Sequence, residues 1–181
     1  MELEKSKKKF QLKKVEKFSL YLFIKHGIDS ILKIQKILFF LRIYEKKKGI
    51  NKKSPIFDKD NKNFQAWMYG PVNVVSYYFM RLKLYDNEQE SNDDALIEME
   101  NMDKNGKFVV YSKIIKNLKE IDSHHLVELS HHNLEYKKQR KGLDELEPCK
   151  KELNENSKEF KEFDKKFCDE VDNILSLKCQ K

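Results

Sequence analysis

Residues 31–47 constrain the fold more than any other stretch, because they predict a helix with almost no polar face. Apolar side chains recur there at the spacing of an α-helix and also occupy the positions in between. They are Ile31, Ile34, Ile37, Leu38, Phe39, Phe40, Leu41, Ile43 and Tyr44. A stripe this wide predicts a helix that is nearly engulfed by its neighbours.

The scarcity of glycine and proline favours helices in the rest of the chain. Only 5 Gly and 3 Pro occur among 181 residues, while apolar residues make up 39%. Few breaking residues indicate long regular segments, and the length suffices for one domain with a real core. We predict a mainly α fold, a compact helical domain with at most a small β element at about 107–111, where Lys107–Tyr111 follows a turn signal.

Capping residues predict several helix boundaries. Gly27 should end a first helix, and Asp29 or Ser30 should cap the helix of residues 31–47. Further along, Ser112 is predicted to cap a helix that runs through Glu120. Asp122 or Ser123 should cap the next one, which ends near Asn133 or Tyr136. The acidic stretch 86–94 is predicted to be a loop.

The chain divides into four predicted segments. They are a charged tail at 1–9, a helical domain at 10–140, a linker at 141–158 and a C-terminal amphipathic helix at 159–178. The last helix has one apolar stripe, formed by Phe160, Phe163, Phe167, Val171 and Ile174. This stripe either docks onto its own domain or lies against a partner, which includes a second copy in a homodimer.

Positive charge is concentrated near the N-terminus. The formal net charge is +7, and residues 1–60 alone carry 17 basic and 7 acidic side chains, which gives +10. Lysine clusters at 7–9 and 46–48 could contact nucleic acid or an acidic partner. We favour the alternative of a lysine-rich surface, because the charges form clusters rather than an ordered basic face.

Cysteine usage and the length of apolar runs bear on the compartment. The three cysteines, Cys149, Cys168 and Cys179, are widely spaced and form no CxxC pair. This pattern favours free thiols in a reducing compartment. No secretory signal fits the start of the chain, and the apolar runs are far shorter than the ~20 residues that span a bilayer. We expect a cytoplasmic protein without membrane contact.

The histidines and carboxylates form no pattern that indicates catalysis or metal binding. His124, Glu128 and His131 would share a helix face, but seven residues separate the two histidines, about 10 Å along a helix. Two ligands of one zinc ion normally lie at i and i+4 or closer. GxSxG, P-loop and GxGxxG motifs are absent from the sequence. We predict a non-enzymatic protein with no cofactor and no bound metal.

The run FQAWMYGPVNVVSYYF at 64–79 contains the only tryptophan, Trp67, beside a Gly-Pro pair. Residues 64–69 predict a short helix or tight turn. Proline is favourable at a first helical position, so a new helix is predicted at Val72–Lys83. The aromatic side chains either fill the core or form part of a recognition surface, since Tyr and Trp combine an apolar body with a polar group.

Three blocks of the sequence, in this order and spacing, resemble the signatures of one family over residues 12–140. LKIQKILFF at 32–40 is similar to its LKLQKLLYY block, AWMYGPV at 66–72 to AWxxGPV, and LVELSH at 126–131 to L…LTH. The family is the Panacea domain, also called the SocA-like antitoxin or phage-associated GepA-like domain. The matching residues are Gln35, Lys36, Ala66, Trp67, Tyr69, Gly70, Pro71, Val72, Tyr78, Ser130 and His131.

The resemblance implies a mostly helical, non-enzymatic domain. Members occur as antitoxins of bacterial and phage toxin–antitoxin pairs, where they act by direct contact with toxins of unrelated kinds. The expected partner is therefore a cognate toxin protein. One alternative is an adaptor that delivers the toxin to an ATP-dependent protease, and another is a nucleic-acid-binding module that uses the basic N-terminal region.

The resemblance also predicts how the signature residues are used. We expect them to set packing, with Gly70-Pro71 separating two helices and Trp67 lying near the helix that contains Gln35 and Lys36. Partner-binding residues should lie on the surface around this turn.

The sequence departs from the family pattern at two positions of the third block. Ser130 replaces the usual Thr and keeps the hydroxyl. The family often has a Trp shortly after the histidine, where this sequence has only Tyr136 nearby. The acidic stretch 86–94 and the residues after Pro148 lie outside the resemblance.

Overall fold

The structure is a computed structural model and describes residues 12–48, 56–57, 64–85, 93–104, 109–141 and 149–152. These residues form seven helices and three strands, which confirms the predicted mainly α class with a small β element. In chain order the elements are α1 (Lys14–His26), α2 (Ile31–Lys48), β1 (Gln65–Trp67), β2 (Gly70–Val72), α3 (Val74–Tyr85), α4 (Asp93–Lys104), α5 (Val109–Glu120), α6 (Ser123–His131), α7 (Leu134–Arg140) and β3 (Cys149–Glu152).

Helix α2 is the centre of the fold, as its wide apolar stripe predicts. Every side chain from Ile34 to Glu45 is buried, and α2 packs against α1, α3, α5, α6 and β2. Burial of each large apolar side chain contributes roughly 1.5–3 kcal/mol, so this helix supplies much of the hydrophobic stabilisation. Among the helices described, none combines the length and the apolar character needed to cross a membrane.

Helix α1 ends at Gly27, as predicted, and pairs with α4. Gly27 has a φ of 63° and its amide donates to the Leu22 carbonyl, which is a common C-terminal arrangement. Tyr21 Oη donates to Asp103 Oδ2 at 2.8 Å. Two ion pairs at 2.5 Å, Lys17–Glu98 and Lys25–Glu100, also join the helices.

Two strands of the small sheet lie where a short helix or tight turn was predicted at 64–69 and a new helix was predicted from Val72. Strands β1 and β2 form an antiparallel hairpin with Trp67 opposite Gly70, and β3 pairs with the other edge of β1. The expectation that Gly70-Pro71 separates two helices is therefore wrong. Pro71 lacks an N–H and is tolerated because β2 is an edge strand. Helix α3 begins only at Val74.

The predicted β element at 107–111 is misplaced. Residues 109–111 form the first turn of α5, and its Tyr111, Ile114, Ile115 and Leu118 face the core. The β-branched residues at 109–110 favour a strand, but burial of the helical face overrides this local preference. Helix α4 also replaces the end of the predicted acidic loop, with Ala95, Met99 and Met102 buried at helical spacing.

The remaining predicted boundaries agree in part with those of the structure. Asp122 caps α6, with its carboxylate accepting from the amides of His124 and His125, as predicted. Strand β3 lies inside the segment that was predicted as the linker 141–158. Its pairing with β1 gives this part of the segment a regular structure. The tail 1–9, most of the acidic stretch 86–94 and the C-terminal helix at 159–178 lie outside the described residues.

Candidate functional site

The three signature blocks converge on one glycine. Gly70 is buried with a φ of 95°, a conformation that favours glycine. A Cβ added to it would lie 2.3 Å from Ser130 Oγ of α6 and 2.8 Å from Lys36 Nζ of α2. We call Lys36, Gly70, Pro71 and Ser130 the Gly70 node, since their contacts join the three blocks.

Lys36 holds the strand that follows Gly70. Its side chain is fully buried, and Nζ donates to the Pro71 carbonyl at 3.0 Å. Within the described part of the chain no carboxylate pairs with it. Burial lowers the pKa of Lys36 from 10.5 to about 7, because an unpaired charge is costly away from water.

Ser130 is used inside its own helix. Its side chain is fully buried and Oγ donates to the Val127 carbonyl at 2.7 Å. A threonine methyl group would need further space beside Gly70, where the contacts are already tight. The hydroxyl therefore fills the space that the missing Cβ of Gly70 leaves open.

Tyr136 fastens the hairpin turn to α7. Its hydroxyl donates to the Trp67 and Met68 carbonyls, at 2.8 and 3.0 Å, and lies 3.1 Å from His131 Nε2. The two rings are stacked with centroids 4.7 Å apart. Burial and then the Lys36 charge lower the pKa of His131, which favours its neutral form. Burial also raises the pKa of Tyr136, so its hydroxyl keeps the donor proton.

Tyr136→Phe should lower the free energy of unfolding by about 1–2 kcal/mol, because the ring stays while the hydroxyl bonds to the turn are lost. Urea denaturation measures the change. Tyr78→Phe is the matched control, since the Tyr78 side chain is exposed and should change stability by less than about 0.5 kcal/mol. Equal effects of the two variants would contradict the role assigned to Tyr136.

Gln35 positions the start of α3. Its Oε1 accepts from the Asn73 amide at 2.8 Å, and its Nε2 donates to Ser76 Oγ at 3.0 Å. Ser76 Oγ lies 2.7 Å from Ser19 Oγ, which donates to the Val15 carbonyl at 2.6 Å. This buried chain of hydrogen bonds therefore links α1, α2 and α3. Neighbouring residues of α2, Gln35 and Lys36, hold successive parts of the GPVN segment.

Gln35→Ala should lower the free energy of unfolding by about 2–4 kcal/mol, because it removes two buried hydrogen bonds and leaves space in the core. Chemical denaturation measures the loss. Gln65→Ala is the control, since Gln65 is half-buried and accepts from Trp67 Nε1 at 3.0 Å. We expect it to cost under about 1 kcal/mol. A loss that is no larger for Gln35 would contradict the positioning role.

The arrangement favours a structural role for the Gly70 node. Lys36 and Ser130 resemble a base and a nucleophile by residue type, but neither side chain is exposed and each donates to a backbone carbonyl. A substrate would have to reach them through the core. Among the residues that the structure describes, no group of three or more His, Cys, Asp or Glu could hold a metal ion.

An aromatic surface lies beside the hairpin. The Trp67 and Tyr77 rings meet edge to face with centroids 4.9 Å apart, and Tyr77 and Tyr78 at 5.5 Å. Tyr78 is 53% exposed and Leu82, one turn later, is 47% exposed. We call Trp67, Tyr77, Tyr78 and Leu82 the aromatic face. The Trp67 ring contacts Tyr77 of α3, and the expected packing of Trp67 near the helix that contains Gln35 and Lys36 stays a prediction.

The predicted signature residues thus have two kinds of environment. Most are buried in or beside the Gly70 node, and a few are exposed. The buried set is Gln35, Lys36, Ala66, Gly70, Pro71, Val72 and Ser130, with His131 and Trp67 half-buried and Tyr69 and Tyr78 exposed. Asn73 and Ser76, which bind Gln35 at the start of α3, were not predicted from the sequence to belong to this site. The Asn73 side chain accepts from the Ser76 amide at 3.1 Å, and this Asn-x-x-Ser spacing is a recognisable capping signal.

Comparison with known proteins found no match: no family model, no curated protein and no solved structure was significantly similar to this chain. The resemblance to the Panacea domain therefore depends on the three sequence blocks.

Proposed function

We propose that this chain is a non-enzymatic, antitoxin-like protein that neutralises a partner toxin of a toxin–antitoxin or prophage module by direct binding. The supporting observation is the Gly70 node. The three blocks that resemble the Panacea signatures are far apart in sequence, yet Lys36, Gly70 and Ser130 meet in one tight contact. Residues that share a packing unit are expected to form a joint signature of a fold.

Binding is favoured over catalysis by what the polar side chains do. The reactive residue types near the hairpin, Lys36 and Ser130, are buried and hydrogen-bonded internally. The exposed groups there include the aromatic side chains of Tyr69 and Tyr78. Tyrosine and tryptophan are common anchors at protein–protein interfaces, because a large apolar area carries a polar group.

Co-expression with the product of the neighbouring open reading frame tests the proposal. We expect the neighbour to arrest growth alone, growth to recover when the chain is present, and the two proteins to copurify. The control is the same plasmid with an early stop codon in the chain. A neighbour that is harmless alone, together with no copurified complex, would contradict the proposal.

The abundance of the neighbour during rescue separates two modes of neutralisation. Sequestration by binding leaves its abundance unchanged or raised, because the complex is protected. Delivery to an ATP-dependent protease lowers its abundance in a manner that depends on the protease. We expect the first result, and immunoblotting after a translation block measures it.

A further inference from the structure

We propose that the aromatic face binds an acidic polypeptide segment of the partner that carries apolar or aromatic anchor residues. This inference rests on the proposed function, since it names the surface and the chemistry by which a toxin would be held. It depends on the exposure of the face, on the charge around it and on the geometry of its rings.

Two side chains of the aromatic face are open to solvent. Tyr78 and Leu82 project from consecutive turns of α3 with about half of their surface exposed, and Tyr69 at the hairpin turn is 58% exposed. Ring contacts join Tyr78 through Tyr77 to Trp67. An exposed apolar patch is a candidate protein-binding surface.

The hairpin and helix α3 carry basic charge and no acidic charge. The 22 residues from Phe64 to Tyr85 contain no Asp or Glu, although the chain has 30 acidic residues among 181. Arg81 is exposed between Tyr78 and Leu82. Helix α7, which packs on β1, contains one acidic and three basic residues and is followed by Lys141. The surface therefore complements a negatively charged segment.

The basic residues of α7 lie close to the hairpin. Tyr136 binds the Trp67 and Met68 carbonyls directly, and Arg140 follows one helical turn later. Burial raises the pKa of Tyr136 and the charge of Arg140 opposes this rise, while burial, the Lys36 charge and then Arg140 lower the pKa of His131. The Arg140 charge therefore acts on the groups that hold the turn. Lys137 and Lys138 are exposed on the same helix.

The ring geometry favours a polypeptide over single-stranded nucleic acid. Nucleic-acid stacking uses accessible ring faces that successive bases can cover. Here the Trp67–Tyr77 and Tyr77–Tyr78 pairs are inclined by 64° and 78°, so the rings meet edge to face and do not present parallel faces. Because neighbouring rings are inclined to each other, the face is uneven, which suits single apolar side chains of a protein partner better than a row of stacked bases.

A peptide selection tests the proposal. The probe is a random, tryptophan-free peptide library displayed on phage and selected on the folded full chain, with counter-selection on the Tyr78→Ala/Arg81→Glu variant. We expect enriched peptides to combine several Asp or Glu residues with Leu or an aromatic residue. Trp67 is the only tryptophan, so its fluorescence reports binding at this surface directly.

The variants make the test specific. We expect Tyr78→Ala/Arg81→Glu to lower the affinity for the selected peptides about tenfold or more. Added salt should lower the affinity of the wild type for them. Ile97→Ala is the matched control, because Ile97 is 54% exposed on α4 and Tyr78 is 53% exposed on α3. It should change affinity by less than about twofold. Circular dichroism checks that every variant remains folded.

Several results would overturn the proposal. They are an absence of enriched peptides, enrichment of basic or uncharged peptides, and an equal loss of affinity in the Ile97 variant. Tighter binding of oligo-dT at the same surface would assign it to nucleic acid. A change of Trp67 emission with chain concentration alone would assign it to a second copy.

Failure of this inference can be distinguished from failure of the proposed function. If the neighbouring gene product copurifies equally with wild type and Tyr78→Ala/Arg81→Glu, the surface is wrong and the antitoxin-like function stands. If acidic peptides bind as expected while the neighbour is harmless and does not associate, the surface stands and the function is wrong.

Discussion

Gly70→Ala should abolish stable folding, or lower the free energy of unfolding by at least about 3–4 kcal/mol. The added methyl would lie 2.3 Å from Ser130 Oγ and 2.8 Å from Lys36 Nζ. Alanine would also occupy a φ of 95°, which L-residues adopt only at a cost. Because both neighbours are buried in a packed core, they cannot move aside without disturbing α2 and α6. Urea denaturation and solubility measure the loss.

Gly27→Ala separates the steric effect from the backbone effect. Gly27 also has a positive φ, 63°, but no atom lies within 4 Å of an added Cβ. We expect it to cost only about 1–2 kcal/mol, the usual strain of a left-handed residue. A loss at Gly70 no larger than that at Gly27 would show that the tight contacts are unimportant.

A double variant tests the contact with Ser130 directly. Ser130→Ala removes the oxygen nearest to the added methyl, so Gly70→Ala/Ser130→Ala should be less destabilised than the sum of the two single changes. We expect a coupling of about 1 kcal/mol or more. Strict additivity would contradict the proposed contact between these positions.

Lys36→Met should stabilise the chain by on the order of 2–4 kcal/mol below neutral pH. The unbranched apolar side chain fits a similar space and removes the cost of a buried charge. It also loses the hydrogen bond to the Pro71 carbonyl, which is worth about 1 kcal/mol. The net gain should therefore depend strongly on pH.

The direction of the pH dependence follows from the lowered pKa. Lys36 has a pKa of about 7 in the folded chain and the ordinary 10.5 when unfolded. Between these values the unfolded chain binds more protons, so wild-type stability rises with pH there. Below about 7 both states are charged and the full cost remains. The advantage of Met should thus be largest below pH 7 and decline toward pH 10.5.

The quantity to measure is the difference in the free energy of unfolding between variant and wild type, by urea denaturation from about pH 6 to about pH 10. It cancels other titrations, such as that of Glu45, whose pKa burial raises to about 7. Lys33→Met is the control. Lys33 lies on the same helix, is half-buried and donates to the Lys119 carbonyl at 2.5 Å, and its replacement should give no gain. A gain in stability from Lys36→Met that does not change with pH would contradict the lowered pKa assigned to Lys36.

The helices with strong periodicity could be predicted from the sequence. The engulfed helix α2 is evident from its apolar positions, and Gly27 and Asp122 mark boundaries correctly. These features depend on neighbours within a few residues, which a single sequence displays. Helix α4 was not predicted. The loop predicted at 86–94 covers its first two residues, and no element was assigned to the others, although Ala95, Met99 and Met102 have helical spacing.

The hairpin could not be predicted, because distant residues decide its conformation. Residues 65–67 and 70–72 are short, and their pairing is fixed by Lys36 at the Pro71 carbonyl and by Tyr136 at the turn. Local preference at the Gly-Pro pair suggested a helix start instead. The signature residues were named from the sequence, but their meeting at Gly70 depends on three segments that only the fold brings together.

The contacts made by Lys36 and Tyr136 can form only in a fixed order during synthesis. Lys36 donates to a carbonyl that lies 35 residues later in the chain, that of Pro71. The Trp67 carbonyl accepts from a hydroxyl that lies 69 residues later, that of Tyr136. At typical translation rates the ribosome needs roughly 3–13 s to extend the chain from Pro71 to Tyr136. During that interval the hairpin turn lacks the hydrogen bonds from the Tyr136 hydroxyl. The nascent chain therefore completes its core only after α7 has emerged from the ribosome.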